Sequence, residues 1–399
     1  MESLSELTHL TGDERRQIAI GAASVFERTA FALAGKASRT DAFAPTEQAL
    51  GVLRAWIQAF SPGDPEAFER RLTWDDLSMT DVARALSEPP IAIVEPDWLV
   101  HIDAIAGMAR QAVEELGAGA FPERQLYAGA APAAGTASPE STRDAELPPF
   151  FDLLVPMLRV ARRALANEHS PAILAPPALA RLERHLLRML ARTTELALFD
   201  ELKAFRAADN GGYDAFVLST LADGLVPLFC AYPVLARQVA VIIGRWANAT
   251  AELASRTVID REALAVTFGD GSETGLVVDI EPALSDAHHG GRRVAALTFA
   301  SGLRVVYKPR SLALDAAYGG LLAWVAAQAP PAGTASDTAP APAGITERFA
   351  GLALRVLDRG EYGWVEFVEQ EACASVADVH RYFALAGGLV CLTHVLRGL

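Results

Sequence analysis

The residues best placed for chemistry lie in one stretch of the C-terminal third. Asp286-Ala287-His288-His289-Gly290-Gly291-Arg292 is a turn-rich segment with adjacent glycines, and Lys308 follows 22 positions after Asp286. Glycines allow backbone N–H groups to come close to a phosphate. A lysine carried at the end of a strand sets one ammonium against the same anion. Each feature also has a plain reading. His-His-Gly-Gly is not a phosphate-loop consensus, and a single lysine at a strand end is often an ordinary surface charge. By themselves these residues leave both readings open.

The elements that must position them follow from periodicity and turn signals. Residues 275–281 are apolar and β-prone, 294–299 read as a second strand, and Ser301-Gly302 is a two-residue hairpin turn. Residues 303–307 then form a third strand that delivers Lys308. A helix is expected over about 314–327, a Pro/Ala/Gly loop over 329–344, strands over 352–357 and 364–368, and a last helix over about 376–396. This order is the layout of the small lobe of a kinase-like fold, in which the two later strands would wall an adenine.

The chain before residue 270 reads as helical. Candidates are 15–33, with Thr11 as N-cap, then 46–60, a shorter 73–87, and 97–116. Residues 117–147 are rich in Gly, Ala, Pro, Ser and Thr and read as a flexible loop. Beyond it, Phe151, Leu154, Leu158, Ala161 and Leu165 form one apolar stripe, with Asp152, Arg159 and Arg163 on the other side. Over 178–206, Leu182, Leu186, Met189 and Leu196 are expected inward, with Arg181, Arg184, Arg188 and Arg192 as a basic outer face. That face is either solvated or able to touch a peptide or nucleotide. Residues 213–254 hold two helices that part near Tyr232-Pro233. The expected fold class is α+β, a mostly helical scaffold followed by a small β-rich lobe. Its expected regions are a helical 1–116, a flexible 117–147, a helical scaffold over 148–270, and the small lobe over 274–399.

Composition narrows the function. With 399 residues and a net charge of −14, the chain lacks the basic footprint of a general nucleic-acid binder, although a local basic pocket stays possible. Three cysteines, Cys230, Cys373 and Cys391, are too few and scattered for a disulfide framework or zinc cluster, so they are expected as buried hydrophobes in a reducing compartment. His380, Cys391 and His394 share a helix without tight ligand spacing; Cys391 and His394 are expected in the core, and no metal or zinc site is assigned. The N-terminus has no secretory pattern, and the apolar runs at 224–236 and 382–396 are shorter than the roughly 20 residues a bilayer requires. A cytoplasmic protein without a transmembrane segment is expected.

One resemblance is specific. Asp286-Ala287-His288-His289-Gly290-Gly291-Arg292, followed by Val306-Tyr307-Lys308-Pro309-Arg310-Ser311-Leu312, resembles the paired Asp-x-His-x-x-Gly-Arg and Tyr-Lys-Pro-Arg-Ser signature of the class II lanthipeptide synthetases, the LanM family. Tyr232-Pro233-Val234-Leu235-Ala236-Arg237 is similar to the family's Tyr-Pro-x-Leu-x-Arg helix, and Tyr362-Gly363-Trp364 to its Tyr-Gly-Trp strand. The helix with Gly387-Gly388-Leu389 is similar to the segment before its catalytic loop. The likeness is weak before residue 150 and strong from 213 onward.

The resemblance implies lanthipeptide biosynthesis: ATP- and Mg2+-dependent phosphorylation of Ser and Thr in a precursor peptide, then elimination to dehydroalanine and dehydrobutyrine. Lys308 matches the phosphate-binding lysine. Asp286 and His288 match the acidic and imidazole groups of the loop over the phosphates, where they could handle protons in the elimination. Gly290, Gly291 and Arg292 match the rest of that loop, and Arg310 the Lys-Pro-Arg segment.

The departures set further expectations. No Asp-x-His-x-Glu-Asn catalytic loop occurs in the sequence, nor the Asp-x-Glu segment that follows it in the family. The chain is therefore expected to be an N-terminal part of the dehydratase, lacking the large lobe, the Mg2+ ligands and the zinc cyclase. It is expected to be inactive alone, and to be either a truncated gene product or one half of a split synthetase completed by a second polypeptide. The alternative is a non-catalytic module that binds a leader peptide or a nucleotide. The helix after Lys308 offers Asp315 but no Glu, so a kinase-style lysine–glutamate pair is not assigned.

Overall fold

The computed structural model describes residues 9–24, 27–28, 30, 43–87, 95–127, 147–169, 171–282, 284–286, 289–327, 352–369 and 372–396. Backbone contacts divide the chain into two units, one of residues 1–164 and 186–246, the other of 165–185 and 247–399.

The first unit is built from helices. Helix α1 (Gly12–Gly21) opens with a capping box in which Thr11 and Glu14 satisfy each other's backbone N–H. Helices α2 (Glu47–Phe60), α3 (Pro65–Thr73) and α4 (Met79–Ser87) follow. Helix α4 occupies the later part of the helix expected over 73–87, and α3 precedes it where none was expected. Asp64 caps α3, accepting from the Ala67 N–H, and Pro65 begins it, a start signal placed before the apolar pattern. Leu53, Phe68, Leu72, Val82 and Ala83 form the shared core, and Trp56 meets Phe68 edge-on at 5.2 Å.

Helices α5 (Leu99–Ala118) and α6 (Pro122–Tyr127) enter the stretch read as a loop, of which 128–146 lie outside the described residues. In α7 (Phe151–Asn167) the expected stripe is buried, but the opposite side is not a plain solvated face. Asp152 is buried and takes two bonds from Arg124, at 3.0 and 2.5 Å. Arg159 forks onto Glu115 at 2.8 and 2.7 Å and also reaches Glu123 at 3.0 Å. Paired charges can be buried where single ones cannot.

Helix α8 (Pro176–Ala207) buries Leu182 and Leu186, whereas Leu196, expected inward, is 76% exposed. Residues 194 and 198 are buried, and a residue two positions from each points to the opposite side of the helix. Helices α9 (Tyr213–Ala222), α10 (Val226–Ala231) and α11 (Pro233–Phe268) complete the helical chain, with one more break than expected. The stretch from Tyr232 to Arg237 stitches this unit together. The Tyr232 hydroxyl donates to Glu201 at 3.0 Å, and Arg237 donates to Glu27 at 2.5 and 2.8 Å and to the Ala22 carbonyl. Pro233 occupies the space beside Gly21, where a Cβ would lie 2.4 Å from the proline ring.

The second unit holds the sheet. Strands β1 (Val277–Glu281), β2 (Ala295–Phe299), β3 (Arg304–Lys308), β4 (Val356–Asp358) and β5 (Gly363–Glu366) are antiparallel, in the order β1-β2-β3-β5-β4. The Ser301-Gly302 turn joins β2 to β3, with Gly302 at φ +87° and the Phe299 N–H donating to the Leu303 carbonyl. Val305 and Tyr307 are buried while Arg304 and Lys308 are half-buried, the alternation of a sheet with one covered face. The outer edge of β1 is paired with 173–175, through Ala175 N–H to Val277 O and Val277 N–H to Ile173 O. Helix α12 (Ala313–Ala327) follows β3, and α13 (Val376–Val395) follows β5.

The result is α+β, with a helical N-terminal part and a small β lobe. No residue of α13 is buried, so Cys391 and His394, expected in the core, are exposed. Cys373 is exposed and Cys230 half-buried, which corrects the reading of all three cysteines as buried hydrophobes. An apolar sequence marks a face that gains by being covered, not whether its own chain covers it. Among the described residues no helix is long and apolar enough to cross a membrane.

Candidate functional site

Strand register gathers the candidate residues at one end of the sheet. Glu281 at the end of β1 pairs with Ala296, Ala295 at the start of β2 pairs with Tyr307, and Lys308 pairs with Gly363. The 282–294 loop, Lys308 and the start of β5 therefore share that end, together with the turn after β4, since Asp358 also pairs with Gly363.

The loop is closed at its neck. Leu284 N–H donates to Val294 O at 3.0 Å, and Val294 N–H donates to the Ser285 hydroxyl at 3.2 Å. A 3-10 turn spans His289–Gly291, with Gly290 at φ +81° and Gly291 at φ +91°, a region that favours glycine. Among the described residues nothing lies within 4 Å of where a Cβ of Gly290 would stand. Asp286 is exposed on this loop, and His288 lies outside the described residues.

Lys308 has a partner that sequence reasoning left unassigned. Its ammonium lies 3.3 Å from Asp315 Oδ1, in the first turn of α12. Arg310 holds the same carboxylate with both terminal nitrogens, at 2.8 and 3.1 Å. Arg310 foremost, with Lys308 behind it, keeps the Asp315 carboxyl below the usual carboxylate range against the opposing effect of burial. Asp358 fixes the approach to α12 by accepting from the Leu312 N–H at 2.9 Å. The acid that meets Lys308 is thus an Asp seven residues further along the chain, where no Lys–Glu pair was assigned.

Arg292 is held from another side. It donates to Glu252 on α11 at 2.6 Å, and Glu252 also pairs with Arg256 at 2.5 Å. Arg256 donates to the Tyr307 hydroxyl at 2.5 Å and lies 4.2 Å over the Tyr362 ring. One turn on, the buried Asp260 accepts from the Trp364 indole at 2.8 Å and from Arg359 at 2.7 Å. Burial, and then Asp260, push the Tyr362 phenol up to about 12. Burial also raises the Tyr307 phenol, against the pull of Arg256. Glu252, Arg256 and Asp260 recur every four residues and so share one helix face. That spacing was visible in the sequence, but its target was not.

The Tyr362-Gly363-Trp364 stretch also receives a physical reason. A Cβ on Gly363 would lie 2.5 Å from Leu312 Cδ1 and 2.7 Å from the Leu357 carbonyl. Trp364 is fully buried with its N–H satisfied, and Tyr362 carries the cation–π contact.

Residues 232–399 match the family model of a domain of unknown function, DUF4135. This domain is found in lanthionine synthetase C-like and LanM-type proteins. The matched segment covers less than half of the chain and contains the sheet, the loop and both acid-paired cation groups. No curated protein matches the chain.

The donor set suits a polyphosphate. Lys308 and Arg310 are cationic and sit together on a single carboxylate, at the sheet end that also bears the glycine turn. Among the described residues no group of three or more His, Cys, Asp or Glu side chains could hold a metal ion.

Proposed function

We propose that the Lys308 end of the sheet binds the phosphates of ATP in a lanthipeptide-forming dehydratase, one that modifies Ser and Thr of a precursor peptide. One observation carries this reading: Lys308 and Arg310 converge on Asp315 at the sheet end that also bears the glycine loop. ATP, when bound, supplies the phosphoryl group that turns a seryl or threonyl hydroxyl into a leaving group. Lys308 and Arg310 would exchange part of their contact with Asp315 for phosphate oxygens, and Gly290 and Gly291 would present backbone N–H groups. Arg292, tethered to Glu252, would stay as a positive charge beside them. In the elimination, Asp286 and His288 would take the α-proton while phosphate leaves with the C–O electrons and the alkene forms.

The test is calorimetric titration of ATP into the full chain and its Lys308→Ala variant, with mass spectrometry of a Ser/Thr-rich precursor peptide. Binding by the wild type that falls at least tenfold in the variant is expected. Equal binding by both would overturn the reading. A second reading, a binding module without catalysis, is favoured by the acids that already occupy Lys308, Arg310 and Arg292. ATP binding without any phosphorylated or dehydrated peptide would select it.

A further inference from the structure

A cavity of about 260 Å³ opens in the first unit, between α8, α9 and α10. Its apolar wall includes Phe205 and Phe216, edge-to-face at 5.6 Å, and the buried Leu228. Its polar lining includes Glu201 and Asp223, and no Lys or Arg is among the described residues that line it. The Tyr232 hydroxyl holds Glu201 in place at 3.0 Å, and the exposed Asp223 has no ion-pair partner among the described residues.

Size and charge together restrict the occupant. Sites for drug-sized ligands run from about 300 to 1,000 Å³, so this cavity suits one side chain rather than a nucleotide. An apolar wall beneath carboxylates matches a group with a hydrocarbon stem and a cationic head. We infer that this cavity receives a lysine or arginine side chain of a peptide segment, a site separate from the phosphate-binding end of the sheet. The stem would lie on Phe205 and Phe216, and the head would meet Glu201 and Asp223.

The inference does not depend on the proposed nucleotide chemistry. Its test uses the full chain and a fluorescein-labelled peptide, Gly-Ala-Lys-Ala-Gly, read by anisotropy. The norleucine analogue of that peptide and free n-butylammonium serve as competitors. The peptide is expected to bind, with its affinity falling about tenfold in Glu201→Gln/Asp223→Asn and unchanged in Lys308→Ala. Glutamine still accepts from Tyr232, so the fold is kept, and Ser219→Trp, which fills the mouth from α9, gives an independent block. The norleucine analogue competing equally well would overturn the assigned cation. Butylammonium competing as well as the lysine peptide would overturn the assignment to a peptide. Unchanged binding in both the double variant and Ser219→Trp would overturn the location.

Discussion

Replacing Asp315 by Asn tests whether its carboxylate competes with a bound anion. The amide oxygen can still accept from Lys308 or Arg310, so local geometry is largely kept while one negative charge is removed. A phosphate oxygen on the far side of the Lys308 ammonium would stand about 6 Å from the carboxylate, roughly two hydrogen-bond lengths. One pair of like charges at that distance costs about 0.7 kcal/mol in a water-like medium, and about twice that at half the dielectric constant. Asp315 is 24% and Lys308 25% exposed, which places the site between those limits, whereas Arg310 is 56% exposed and adds little. Asp315→Asn should therefore tighten nucleotide binding about three- to tenfold, or about 0.7 to 1.4 kcal/mol. The assay is competition against a fluorescent ATP analogue at two salt concentrations, with the gain shrinking at high salt. Binding weakened tenfold in Asp315→Asn would refute the reasoning and show that the carboxylate acts by orienting the two cations.

Other predictions concern the frame. Asp260→Ala should lower unfolding stability by about 3–5 kcal/mol in a denaturant titration, because the buried Trp364 N–H and Arg359 lose their common acceptor; a loss below about 1 kcal/mol would remove Asp260 from the core network. Gly363→Ala should cost about 1–3 kcal/mol and disturb the Lys308 end of the sheet, since its Cβ meets the Leu357 carbonyl at 2.7 Å. Arg237 foremost holds the Glu27 carboxyl down to about 2, from an ordinary 4.5. Because the folded value is depressed, its stabilisation is present above about pH 4.5 and is lost as pH falls toward 2. Glu27→Gln should abolish that part of the acid sensitivity, and thermal melts at pH 5 and pH 3 would show it.

The strand–loop–strand–hairpin–strand order, the Ser301-Gly302 turn and the delivery of Lys308 were legible along the chain. They depend on local rules, namely β-propensity, turn chemistry and side-chain alternation. The Thr11 cap and the α7 stripe were legible for the same reason. The partners of the charged residues were not. Glu252 lies 40 positions from Arg292, and Asp260 lies 104 from Trp364, and periodicity carries no signal across such separations. Asp152 read as a surface acid because its partner Arg124 sits on another helix. Leu196 and Cys391 read as buried because hydrophobicity alone does not tell which face is covered. The sequence by itself determined the order of the strands and which of them would carry Lys308. Only the tertiary structure decided that Asp315 and Glu252 already hold Lys308 and Arg292, because charge pairing depends on distances that chain folding alone sets.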